Sequence, residues 1–180
     1  MRHTSSPLRV NAAELLRRPG SEQRVEVAVQ VVELGIPVEG DDADHRFADG
    51  AEVGVHLRLE ALTDGIVVDG TLDVPWHGTC RRCLADTSGV VHSDVHELYQ
   101  RVITDPDAFE LEGDLLDLQP VVRELVLLDA PTTPVCRPEC AGLCPTCGTN
   151  RNERECGCAA PPADPRWEGL AGLKDLLPPG

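Results

Sequence analysis

Between residues 24 and 102, apolar side chains recur at every second position. Val25, Val27, Val29 and Val31 share one parity, with Arg24, Glu26 and Gln30 among the alternate positions. That is the period of a half-buried strand. Val53, Val55, Leu57 and Leu59 repeat the pattern within 51–62, Thr63-Asp64-Gly65 is a turn signal, and residues 66–74 return as a third strand. A fourth alternating run covers 89–102. The pattern predicts an antiparallel meander that curls into a small barrel or packs against helices.

Residues 8–18 have a different rhythm. Asn11 is placed to cap a short helix, with Glu14 at the capping-box position, and Pro19-Gly20 stops it. Residues 118–128 fit a second helix, with Pro120 tolerable only in its first turn. Its apolar residues are too dense to resolve one face, which predicts deep burial. Residues 35–50 and 104–117 read as acidic loops. The second is read as solvated, with docking of a basic partner as the sharper alternative. After Pro161-Pro162-Ala163, the side chains of Trp167, Leu170, Leu173, Leu176 and Leu177 fall at helical spacing.

The expected class is therefore α+β: mainly an antiparallel β meander or small barrel, with flanking helices and a zinc-ribbon-like Cys-rich module. Three parts follow. Residues 1–130 form a β-rich domain with the N-terminal helix and the helix near 118–128. Residues 131–160 form the Cys-rich module. Residues 161–180 are a linker and an amphipathic helix docked on its own domain.

Composition narrows the chemistry. The 180 residues hold 16 basic and 31 acidic side chains, a net charge of −15. Such a field repels phosphate backbones, so any nucleic-acid contact needs a local basic patch. No run approaches the roughly 20 apolar residues that span a bilayer, and the first residues lack a signal peptide's apolar stretch. The expected location is cytoplasmic. In a reducing compartment, closely spaced cysteines more often bind metal than pair as disulfides.

The eight cysteines are Cys80, Cys83, Cys136, Cys140, Cys144, Cys147, Cys156 and Cys158. Cys80–Cys83 and Cys144–Cys147 are C-x-x-C pairs, a spacing at which two thiolates reach one metal across a tight turn. Zn²⁺ in structural roles favours four such ligands. The simplest partition joins Cys144, Cys147, Cys156 and Cys158, leaving Cys80, Cys83, Cys136 and Cys140 to staple the tail to the sheet. An iron–sulfur cluster or a redox dithiol is the alternative occupant. No βαβ unit surrounds either pair, which disfavours a thioredoxin-like role. His77, His92 and His96 read as surface histidines. A set closed by sulfur leaves no open catalytic position, and no catalytic motif is visible, so an enzyme is not expected.

For RNA, the candidate contacts are Arg81, Arg82, Arg17 and Arg18. Within 80–83 and 136–158, five Arg face three Glu, leaving +2. Eight thiolates against two dications add −4, for a total of −2. No aromatic stacking platform is evident, so a protein partner is at least as well supported as RNA.

Cys80-Arg-Arg-Cys83-Leu84, Pro134-Val-Cys136, Cys140-Ala-Gly-Leu-Cys144-Pro-Thr-Cys147-Gly148-Thr-Asn150-Arg-Asn152 and Cys156-Gly-Cys158 together resemble the YceD family. So do Leu15-Leu-Arg-Arg-Pro-Gly20 and the stretch from Asp164 to Lys174. Cys80 and Cys83 match the family's central pair, and the later cysteines its Cys-rich version. The resemblance implies a bacterial ribosome-biogenesis factor, with plastid relatives, that supports accumulation of 23S ribosomal RNA. It implies no enzymatic activity. The expected cofactor is Zn²⁺ in two structural sites. The expected partner is a large-subunit precursor: 23S rRNA, a basic ribosomal protein or an assembly factor. No membrane and no small-molecule substrate are expected. A zinc-thiolate redox sensor or holdase, and a zinc-dependent nucleic-acid-binding regulator, are the alternatives.

Overall fold

The computed structural model describes residues 6–40 and 44–159, with Asp164 and Arg166. The proposed linker and tail helix lie otherwise outside the described residues. Among the described residues, seven strands and one α-helix follow in order: β1 (Arg9–Asn11), β2 (Glu22–Gln30), β3 (Glu52–Ala61), β4 (Gly65–Thr79), β5 (Asp86–Gln100), β6 (Phe109–Glu110), β7 (Leu115–Asp117) and α1 (Gln119–Asp129). Among the described residues, no helix is long and apolar enough to cross a membrane.

The strands β2-β3-β4-β5-β6 form one sheet in that order, antiparallel except for the parallel β5–β6 pair, and β1 pairs with β7 in a second sheet. The sheet is open, so the barrel option is set aside; its edge strands β2 and β6 do not meet. Alternation is strictest in β3, where Val53, Val55, Leu57, Leu59 and Ala61 are buried. They share a core with Leu72, Val95 and Tyr99 from the sheet, Leu34, Ile36 and Phe47 from the connecting segment, and Val122 and Val126 from α1. Burying such a set removes enough apolar area to hold the helix on one face of the sheet.

The helix expected over 8–18 is corrected. Residues 9–11 form β1, and a 3₁₀ turn follows at Leu15–Arg17. Asn11 accepts from the Ala13 N–H at 3.0 Å, a local turn contact in place of a helix cap. The physical reason is pairing: Val10 lies opposite Leu116, which gives this segment a ladder that the sequence does not announce. The two acidic loops also carry more structure than expected. Phe47 is buried in the first. The second contributes β6, β7 and the buried Leu111. Helix α1 begins where predicted, with Pro120 in its first turn, but only one face is covered: Leu128 is 69% exposed.

The longest elements are β4 and β5, paired over fifteen residues each, from Gly65↔Gln100 to Thr79↔Asp86. β3 leaves this hairpin after Gly54↔Asp73. Pro75, which lacks an N–H, falls just past that point, where no donor to β3 is needed. The outer half of the hairpin thus carries its turn, residues 80–85, away from the main sheet.

Candidate metal centres

The hairpin turn is a cysteine knuckle. The Leu84 N–H donates to the Cys80 carbonyl at 2.9 Å, and the Cys80 N–H donates to Ala85 O at 2.8 Å. The same two bonds recur at the second C-x-x-C pair: Gly148 N–H to Cys144 O at 2.9 Å, and Cys144 N–H to Thr149 O at 2.8 Å. Both turns need a left-handed residue after the second cysteine. Gly148 supplies it with φ 71°, whereas Leu84 adopts φ 60° despite its side chain.

The eight sulfurs gather in two quartets, Cys80/Cys83/Cys136/Cys140 and Cys144/Cys147/Cys156/Cys158, with the ligand atoms of each within 4.8 Å of one another. This is the grouping that the spacing suggests. In the first, Cys80 Sγ lies 3.9 Å from Cys140 Sγ, and Cys83 Sγ 3.7 Å from Cys136 Sγ. Those separations far exceed a disulfide bond of about 2.05 Å. Cys80, Cys83 and Cys140 are buried against Val135 and Leu143, whereas Cys147 and Cys158 are exposed.

Each quartet is polarised. Cys80 is lowered to about 6, first by the Cys136 backbone N–H, against the opposing effect of burial. Cys144 is lowered to about 6 by the N–H groups of Cys147 and Thr146. Burial, then the neighbouring thiols, push Cys136 up to about 12. The Cys147 thiol, then burial, push Cys158 up to about 12. Cys140 is also lowered, against burial, by the Asn152 amide, and Cys147 by the Thr149 hydroxyl, so two thiols in each quartet favour the thiolate. Full ionisation of four sulfurs at this spacing needs a cation among them. The donor set, all sulfur, fits a soft or borderline metal ion.

The knuckles are braced by two residues that the sequence does not mark as braces, Arg82 and Asn152. Arg82 spans back to the segment it faces, donating through Nη1 to Pro138 O at 2.9 Å and Cys140 O at 3.2 Å. Asn152, in the loop between the two halves of the second quartet, reaches into the first: its Nδ2 donates to Cys140 Sγ at 3.4 Å. Its Oδ1 accepts from the Ala141 N–H at 2.9 Å and Arg137 Nη2 at 2.8 Å. Gly142, with φ 70°, lets the chain pass the knuckle; a Cβ there would sit 3.0 Å from Arg82 O. The only sequence signal for Asn152 is its place in the Asn150-Arg-Asn152 run between cysteines. The ribbon expected here is reduced: among the described residues, the module pairs only as the single bridge Leu143–Asn150.

The candidate RNA contacts are not brought together. Arg17 and Arg18 are exposed beside the Ala61 end of β3. Arg81 and Arg82 lie past the far end of β4, whose fifteen residues span roughly 50 Å. Arg81 is exposed, while Arg82 is used as a brace. His77, His92 and His96 are exposed and belong to neither quartet.

Comparison with known proteins gives this geometry a family. Residues 68–174, which include all eight cysteines, match the family described as large ribosomal RNA subunit accumulation protein YceD. An uncharacterized protein of Mycobacterium tuberculosis is 35% identical over 99% of this chain and 85% of its own length. One of Mycobacterium leprae is 30% identical over 99% of this chain and 81% of its own. Large ribosomal RNA subunit accumulation protein YCED homolog 1, chloroplastic, of Arabidopsis thaliana is 33% identical over 80% of this chain and 54% of its own length. No solved structure matches. On the family match and the full-length mycobacterial relatives, the chain belongs to the YceD family.

Proposed function

We propose that this protein is a non-enzymatic ribosome-biogenesis factor that supports accumulation of 23S ribosomal RNA, with structural Zn²⁺ in both cysteine quartets. The observation that carries the metal reading is the sulfur spacing. Four thiolates about 2.3 Å from a tetrahedral zinc lie about 3.8 Å apart, and the first quartet has pairs at 3.7 and 3.9 Å. Four cysteines close the coordination shell, which suits a structural ion and leaves no position for substrate. The zinc would be held by Cys80, Cys83, Cys136 and Cys140 in one site and by Cys144, Cys147, Cys156 and Cys158 in the other, fixing the Cys-rich module to the hairpin tip. The ribosomal reading rests on the family and on the name of the plant relative. The acidic surface supports a basic ribosomal protein or assembly factor as the direct partner over bare RNA.

Depletion in growing cells is expected to lower mature 23S RNA, with the protein co-sedimenting with precursors of the large subunit. Normal 23S RNA and no co-sedimentation would end the ribosomal reading. Elemental analysis of untagged protein tests the metal independently; absence of zinc would overturn it. Exposure of Cys147 and Cys158 supports a second reading, a zinc-thiolate redox sensor. It requires zinc release from the second quartet under mild peroxide, and unchanged metal content would remove it.

A further inference from the structure

β5 leaves a long edge open. It pairs with β4 along its whole length, but on its other side it meets only β6, at Tyr99 and Gln100. Among the described residues, no strand pairs with that outer side from residue 86 to residue 98, an edge of roughly 40 Å. Next to the end of this edge, a groove of about 280 Å³ opens between β5 and α1. Phe109, Val121, Leu125 and Leu128 form its apolar wall, and its charged residues Glu97, Asp107 and Glu124 are all acidic. Phe109 is fixed by stacking on Tyr99, with ring centroids 5.3 Å apart. Burial, then the Glu124 charge, raise the Glu97 carboxyl, against the opposing effect of His96.

We infer that this edge and groove bind an extended basic segment of a partner protein, which adds as a strand to β5. Alternate side chains of an added strand point to one face. The face that carries Val95, Glu97 and Tyr99 is the one packed against α1, so apolar side chains of the segment enter the groove. A Lys or Arg two positions along the segment points to the same face and lies against Glu97, Asp107 and Glu124. Main-chain bonds supply affinity, and the pocket and charges supply selectivity. Charge selects this occupant. Two β5 strands side by side would gather Asp86, Asp94 and Glu97 from each copy with no Lys or Arg on either strand. A phosphate backbone would meet three carboxylates. The inference deepens the ribosomal reading, from which it takes only the expectation that a basic ribosomal protein supplies the segment.

The test uses the full, metal-loaded chain and a labelled short peptide of repeating valine-threonine-lysine-threonine, which puts valine and lysine in turn on one face. Anisotropy gives affinity and amide shifts give location. The expected result is binding that shifts β5 amides within 86–98 and the α1 side of the groove. Affinity should fall at least about tenfold for a peptide N-methylated along one edge, and similarly for Glu124→Lys with Leu128→Ser. Glu26→Lys, on the far strand, should leave it unchanged. The methylated peptide needs no protein variant, so misfolding cannot hide the answer. Equal binding of the methylated peptide, shifts mapping elsewhere, stronger shifts of these residues by a uridine oligonucleotide, or a dimer lost on Leu128→Ser would each overturn it. Peptide binding can fail while the protein still sediments with large-subunit precursors, and the reverse, so the two readings fail separately.

Discussion

Leu84 keeps a left-handed backbone at φ 60° with 64% of its surface exposed, so neither packing nor conformation favours its side chain. A non-glycine residue in this region costs about 1–2 kcal/mol. Its counterpart, Gly148, avoids that cost. Leu84→Gly is expected to stabilise the metal-loaded protein by about 1 kcal/mol in urea unfolding, with an unchanged slope. A destabilised variant would show that Leu84 makes contacts beyond the turn. Asn152 is the opposite case. Its amide satisfies a sulfur and its carbonyl two donors, all from segments distant in sequence. Cysteine spacing announces ligands; it carries no trace of the side chain that orients one of them.

At the scale of elements, the period of two was a sound guide to β2–β5, and the dense apolar run to α1. The segment at 8–18 carries a helix-capping pattern, a purely local signal, while β1 owes its existence to β7, more than a hundred residues away. β4 runs on past Pro75 to Thr79, because a missing N–H matters only where a neighbouring strand needs it. In the loop before β3, Arg46 ties the chain to the end of α1. Arg46 donates to Leu127 O at 3.0 Å and Ala130 O at 2.7 Å at the α1 C-terminus, and pairs with Asp44 at 2.7 Å. The guanidinium takes the helix's unpaired carbonyls and complements its dipole. Hydrogen bonding to Arg46 holds the Asp44 carboxyl below its usual 3.8. A depressed carboxyl stabilises the fold above about pH 4 and loses that contribution as pH falls through its folded value. Arg46→Ala should therefore cost about 1–3 kcal/mol at neutral pH. The difference from the wild type should shrink below pH 4 in urea titrations; a constant gap would show that the Asp44 pair contributes nothing.

Across the whole molecule, two architectures meet at the hairpin tip. The body is held by a hydrophobic core of some thirty side chains. The segment from 135 to 159 has almost none, with only Val135 and Leu143 packed on the first quartet. On the proposed metal reading, its order comes from ligation. Cys147→Ser is expected to open residues 141–158 to proteolysis and hydrogen exchange while β2–β5 keep their protection. Unchanged cleavage in that segment would show that it is held by something other than its ligands.

The sequence alone determined which residues form the principal strands and the helix, because alternation and apolar density are local consequences of one buried face. The cysteine spacing also suggests two sets of four, since C-x-x-C and C-x-C pairs bring sulfurs together within a single turn, but it does not fix which pairs share a set. Tertiary structure decided the rest. It paired β1 with β7, left the sheet open, joined Cys80 and Cys83 to Cys136 and Cys140 across some fifty residues, and set Arg17 and Arg18 at the opposite end of β4 from Arg81 and Arg82. These are all contacts between segments far apart in the chain. The free energy of such contacts depends on what the whole fold brings opposite each residue, and no short window of sequence contains it.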